Sequence, residues 1–193
     1  EYSCHDNGDY SLSFDGDDYI NLNMDPDYNE DASISFWFKS SYTTDNPGDW
    51  IYLLGRNEDI AFTLFSDGKV RIGVTIDSGA WGVFDSQPGY NDNQWHYVTA
   101  TRNSSTGEFL LYIDSNIVPG EYQGDDFSQL TGSLRTSQNA DFLVGQLSVG
   151  HHGGFVGSID KVTIWNSVLS QNDIESNFGN SSLTNIDNIL SNY

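Results

Sequence analysis

Basic residues are scarce in this chain: seven Lys plus Arg stand against twenty-eight Asp plus Glu over 193 residues, a formal net charge of −21. That balance excludes the usual electrostatic route to nucleic acid, which needs a basic face, and opposes adhesion to an anionic lipid surface. Cys4 is the only cysteine, so an internal disulfide is impossible. No run of eighteen apolar residues occurs, which leaves no candidate membrane-spanning helix. The signatures of several hydrolases are also missing. There is no Gly-x-Ser-x-Gly elbow, no His-Glu-x-x-His helix and no Glu-x-Asp-x-Glu strand of the kind whose carboxylates flank a glycosidic bond. The six Glu (residues 1, 30, 58, 108, 121 and 175) are scattered, and no acid/base pair can be nominated from them.

What is present is aromatic and short-patterned. Hydrophobic residues make up 37% and aromatics 14%, enough for a core of one domain at this length. Apolar runs alternate with polar residues and are punctuated by turn signals such as Asp67-Gly68, Asp77-Ser78-Gly79 and Ser105-Thr106-Gly107, the pattern of an all-β sandwich. Leu12 and Phe14 share one strand face, as do Ile34, Phe36 and Phe38, and Val70, Ile72, Val74 and Ile76 alternate cleanly. About eleven or twelve strands are expected. One short helix follows them: Ser170 caps Gln171 to Phe178 with Asp173 at the third position, and Gly179 stops it. The expected organisation is an N-terminal extension (1–9), the sandwich (10–179) and a polar tail or linker (180–193). The chain opens at Glu1 without a visible leader and reads as a mature chain or an excised domain.

Twenty-two of the acids are Asp, the residue of turns and caps and also a common oxygen donor to calcium. Most of them read as solvated loop residues. Two stand apart by strand parity. Asp160 alternates with Val162 and Ile164, and Asp18 with Ile20 and Leu22, which leans both carboxylates toward the buried side. An unpaired buried carboxylate is costly, so the two together imply a divalent metal joining the ends of the sandwich. Asp25, Asp27, Asn29 and Asp31 alternate like the first half of an EF-hand loop. Glu30 occupies the glycine position and Phe36 the final ligand position, so a solvated turn fits better.

Sugar recognition pairs an aromatic ring, which stacks on the apolar sugar face, with carboxylates and amides for its hydroxyls. The candidates are Asp49 and Trp50 after a turn-rich stretch, Trp81, Tyr90, and His151 and His152 in a Gly-flanked loop. Each is also compatible with a half-buried edge position. Trp37, Trp95 and Trp165 sit inside strands and read as core, and His96 reads as a structural histidine.

The segments YSLSFDGDDYINL, SISFWFKS, IAFTLFSDGKVRIGV, QWHYVTATR, EFLLYIDS and GGFVGSIDKVTIWNSVLSQNDI occur in this order. Together they resemble the laminin-G-like, concanavalin A-like lectin/glucanase jelly rolls over Tyr10 to Phe178. The resemblance implies two packed antiparallel sheets with one short C-terminal helix. It also implies a structural calcium where the first and last strands meet, held by Asp160 with oxygens from Asp15, Gly16 and Asp18.

The composite expectation is a non-catalytic, calcium-stabilised carbohydrate-binding module of a secreted or cell-surface protein, with a polysaccharide or glycan as partner. Two alternatives stay open: an adhesion or spacer domain that binds protein on a cell surface, and a degenerate glycoside hydrolase or polysaccharide lyase.

Overall fold

A computed structural model describes residues 2–5, 9–22, 30–56, 59–135, 141–147, 153–179 and 189–192. Two antiparallel sheets are stacked face to face. The first has eight strands. Its path runs β1 (Tyr2–His5), β2 (Asp9–Asp15), β14 (Val156–Trp165), β4 (Ala32–Lys39), β9 (Trp95–Arg102), β10 (Phe109–Ile113) and β11 (Asn116–Ile117). A further strand, β15 (Ile189–Asn192), pairs with the distal half of β14. The second sheet has seven strands in the order β12 (Gly120–Gly124), β8 (Trp81–Ser86), β7 (Val70–Thr75), β6 (Ile60–Phe65), β5 (Trp50–Arg56), β13 (Leu143–Val144) and β3 (Ile20–Asn21). This is the two-sheet sandwich with one short helix, α1 (Gln171–Gly179).

The period-2 pattern builds the core as expected. Ile34, Phe36 and Phe38 of β4 face Phe62 and Leu64 of β6 and Val70, Ile72 and Val74 of β7, all buried. Phe36 and Phe62 meet edge to face across the sheets with centroids 5.2 Å apart, an arrangement that adds to their burial. Helix α1 starts on the expected reciprocal cap: Ser170 Oγ donates to Asp173 at 2.6 Å and accepts the Asp173 N–H at 3.2 Å. It lies on the outer face of the first sheet, where Trp165, Tyr97, Leu169 and Ile174 form a second apolar cluster. Phe178 stacks there on Trp37 at 5.5 Å.

Two stretches read as extension and tail contribute strands. β1 folds back on β2 through Tyr2↔Leu12 to His5↔Asp9, and β15 sits beside Thr163 to Trp165. Each spans four residues, too short for alternation to mark it in the sequence.

The opening and closing strands do lie side by side, with Val156 to Ile159 of β14 opposite Asp15 to Leu12 of β2. The parity argument for Asp160 fails, however. β14 carries an extra residue against β4 between Asp160↔Trp37 and Thr163↔Ser35, and Lys161 takes φ 51°. A bulge of this kind flips the side-chain alternation. Ile159 points into the inter-sheet core, so Asp160 shares the outer face with Trp37, and Val162 and Ile164 regain the core beyond the bulge. Asp160 is half-buried on that outer face, and Asp18 is exposed, in the loop before β3.

Candidate functional site

Two places concentrate chemistry. The first is the turn after β2. Gly16 takes φ 108°, a conformation that favours glycine, and the chain there folds so that Asp15, Asp17 and Asp18 each bring a carboxylate oxygen within 4.8 Å of the others. Crowding of like charge shows in their acidities. Asp15 is held below the ordinary carboxylate value, chiefly by its hydrogen bond from Asp17, whereas Asp17 is raised by that same bond and by the charges of Asp15 and Asp18. The turn rests on two other segments. Gly154 packs against the Gly16 carbonyl so closely that a β-carbon would collide with it. The Gln146 amide donates to the Asp17 carbonyl at 3.4 Å. Gln146 is 7% exposed, and its Oε1 has no hydrogen-bond partner among the described residues.

Asp160 is not part of this cluster. Val156 is the residue opposite Asp15, and Asp160 lies four residues farther along β14, about 13 Å at the rise of an extended strand. The pairing expected between Asp18 and Asp160 around one ion is therefore absent from the structure. Asp17, which the parity argument passed over, joins Asp15 and Asp18 instead, because the cluster is made by a turn rather than by a strand face.

The second place is the outer face of the second sheet, which has no helix on it among the described residues. Residues with odd parity on β6 and β7 point outward: Thr63↔Arg71 and Ala61↔Gly73, continued on β8 by Asp85 and Val83. Two adjoining hollows of about 210 and 230 Å³ run over this face and share Ala61, Gly73 and Val83 as floor. Trp50 lines one and Trp81 the other, each 48% exposed. Both project from the first residue of a strand, one at either end of the groove.

Polar groups line the groove between the tryptophans. Arg71 grips Asp85 through two bonds, Nε to Oδ1 at 2.5 Å and an Nη to Oδ2 at 2.7 Å. That hydrogen bond first, and the Asp85 charge as well, raise the Arg71 pKa against the effect of burial. The guanidinium also lies 4.7 Å from the Phe65 ring centre, within cation–π range. Thr63 is only 6% exposed, and its hydroxyl has no partner among the described residues. A buried hydroxyl left without a partner costs about 1–3 kcal/mol.

The other expected site residues are distributed differently. Asp49 adjoins Trp50, but both its oxygens are engaged within its own loop, by the Thr44 hydroxyl at 2.8 Å and the Asn46 amide at 2.7 Å. It fixes the loop that carries Trp50. Tyr90 lies off the groove, edge-on to His96 at 5.2 Å. His151 and His152 fall outside the described residues, as do Asp25, Asp27 and Asn29. His96 is the structural histidine expected, bonded to Asp114 at 2.8 Å and Asp92 at 3.1 Å. Thr63, Arg71, Asp85 and Gln146 carried no sequence signal, since each is an ordinary residue whose role comes from what pairs beside it.

No helix among the described residues is long and apolar enough to cross a membrane. Among curated proteins, the chain is similar to the laminin subunit alpha of Drosophila melanogaster, 32% identical over 107 residues that make up 55% of this chain and 3% of that protein. Among solved structures, it is similar to the carbohydrate-binding module CBM40 of the Ruminococcus gnavus IT-sialidase, bound to α2,3 sialyllactose. The TM-score is 0.61 at 15% identity, over 86% of this chain and 94% of the module. A heptameric SAP-like pentraxin from Limulus polyphemus superposes with a TM-score of 0.62 at 11% identity, covering 86% of this chain and 80% of the pentraxin chain. The family described as the concanavalin A-like lectin/glucanases superfamily, in its laminin G form, matches residues 14–175, and with its paired sheets and helix in that order the chain belongs to this superfamily.

Proposed function

We propose that this chain is a non-catalytic carbohydrate-binding module of a secreted or cell-surface protein, with its sugar site in the groove of the second sheet and a structural calcium at the Asp15–Asp18 turn. The observation that carries the reading is the pairing of two half-exposed tryptophans with a buried, unpartnered Thr63 hydroxyl on the same open face. Stacking platforms with a polar group that lacks a partner are what a glycan supplies and consumes. Similarity to a sugar-bound module and to a laminin alpha subunit supports the same direction.

The way the acids at the groove are committed disfavours catalysis. Asp59, the carboxylate in the lining, is buried in an ion pair with Arg56. Asp85, beside the groove, has both oxygens on Arg71.

For the ion, the donor set is hard oxygen throughout: three clustered carboxylates and the unpartnered Gln146 Oε1 beside them. Such a set suits calcium, which tolerates irregular coordination. Asp15, Asp17, Asp18 and Gln146 would hold it. Bound there, the ion would neutralise the repulsion that raises Asp17 and would pin the β2 turn to the segments around Gln146 and Gly154.

A glycan array probed with calcium and again with chelator tests both parts. Binding to glycans by the wild-type chain, weakened in Trp50→Ala with an unchanged melting temperature, is the expected result. A chain that binds no glycan in calcium refutes the sugar site, and a melting temperature indifferent to chelator refutes the ion.

A further inference from the structure

We infer that the groove takes a neutral, linear glycan long enough to lie across Trp50 and Trp81 at once, rather than a terminal sugar or an acidic one. This rests on the carbohydrate-binding reading above and narrows its ligand.

The register gives the span. Trp50 of β5 is opposite Phe65 of β6, and Trp81 of β8 is opposite Thr75 of β7, which in turn bonds to Asp59 at the other end of β6. From Phe65 to Asp59 is six residues, about 20 Å along the strand, and β5 to β8 is three strand spacings, about 14 Å across. The two indoles therefore sit roughly 25 Å apart on the diagonal of the sheet. One sugar ring covers one of them, and an extended chain covers both.

The floor between them is open to such a chain. Ala61 and Gly73 stand side by side on the central strands β6 and β7, so no bulky side chain there divides the two hollows, and Leu147 lies over Gly55 at the side of the Trp50 hollow. Ala61, Gly73 and Val83 line both. Thr63 stands next to these residues, with a hydroxyl that both donates and accepts and has no partner among the described residues. A ligand passing from one indole toward the other would bring hydroxyls past it.

Charge decides the class. The cations lining the groove are Arg56 and Arg71, and each is already in an ion pair, with the buried Asp59 and with Asp85. Lys69, just beyond, pairs with Asp67 at 3.5 Å. A sugar carboxylate entering here would find its natural partners engaged, would meet the buried Asp59 in the lining, and would approach a molecule of net charge −21. Like charges brought together in a groove are penalised. The hydroxyls of a neutral sugar pay no such penalty and match the Arg71–Asp85 pair, Tyr52 and Thr63.

Calorimetry on the whole chain in calcium tests this with ladders of neutral linear oligosaccharides (cello-, xylo- and manno-series, disaccharide to octasaccharide) beside sialyllactose and oligogalacturonides. The expected result is a neutral series whose affinity climbs with length and then levels off, with negligible binding of the acidic probes. Trp50→Ala and Trp81→Ala each lower the affinity of the longest oligomer about tenfold, the scale of losing one aromatic anchor. Both flatten its dependence on length, and Trp81→Phe restores part of the loss. Affinity already complete at the disaccharide, preference for an acidic probe, or indifference to Trp81→Ala overturns the inference while leaving carbohydrate binding intact. No binding to any glycan removes the underlying reading as well.

Discussion

The two sheets present outer faces of opposite fate. On the first, Trp37, Tyr97 and Trp165 are covered by helix α1 through Ile174 and Phe178. On the second, Trp50 and Trp81 stand half exposed over a groove with no such cover among the described residues. Aromatic content alone does not separate the two roles. What separates them is whether another described element of the chain supplies the partner surface: where it does, the rings hold the fold, and where it does not, the proposed function assigns them to a ligand.

Mutations should divide along that line. Trp165→Ala, fully buried under the helix, is expected to cost about 3–5 kcal/mol, while Trp81→Ala stays within about 0.5 kcal/mol of wild type. Chemical denaturation of the pair measures the contrast, and comparable losses would break it. Next in size is the ion. Calcium at a hundred times its dissociation constant would add about 2.7 kcal/mol, so chelator should lower the melting temperature. Asp17→Asn should shrink that shift and Asp160→Asn should leave it whole. The reverse outcome would restore the strand-face site.

A pH series sharpens the comparison at the sandwich rim, where His96 belongs to neither outer face. Burial opposes its charge, but hydrogen bonds and charges from Asp114 and Asp92 outweigh it and raise the pKa above 6.5. A raised folded-state value means the contribution is complete below the unfolded value and is lost as pH rises through the folded one. Stability should thus decline across that window in wild type and stay flatter in His96→Gln. The smallest effect is expected at Thr63→Val. Removing an unpartnered buried hydroxyl should leave stability unchanged or slightly raised while weakening glycan affinity, a split that a purely structural threonine would not show.

Much of this arrangement could be read before any coordinates. The alternation of Val70 to Ile76 and the Ser170–Asp173 cap followed from local pattern, because strand parity and capping act over a few residues, whereas for Trp50 and Trp81 the pattern left both a loop platform and a half-buried edge position open. The acidic cluster after β2 was half seen. Asp15 and Asp18 were named and Asp17 was not, and Asp160 was misplaced because a single extra residue at Lys161 reverses parity without any mark in the sequence.

The sequence by itself determined the sandwich, its buried faces and its acidic, aromatic surface, since these depend on periodicity and composition. Only the tertiary structure decided that Trp50, Thr63, Arg71 and Trp81 share one face and that Gln146 reaches the Asp15–Asp18 turn. These residues are brought together by strand register, which is set by pairing over the whole sheet.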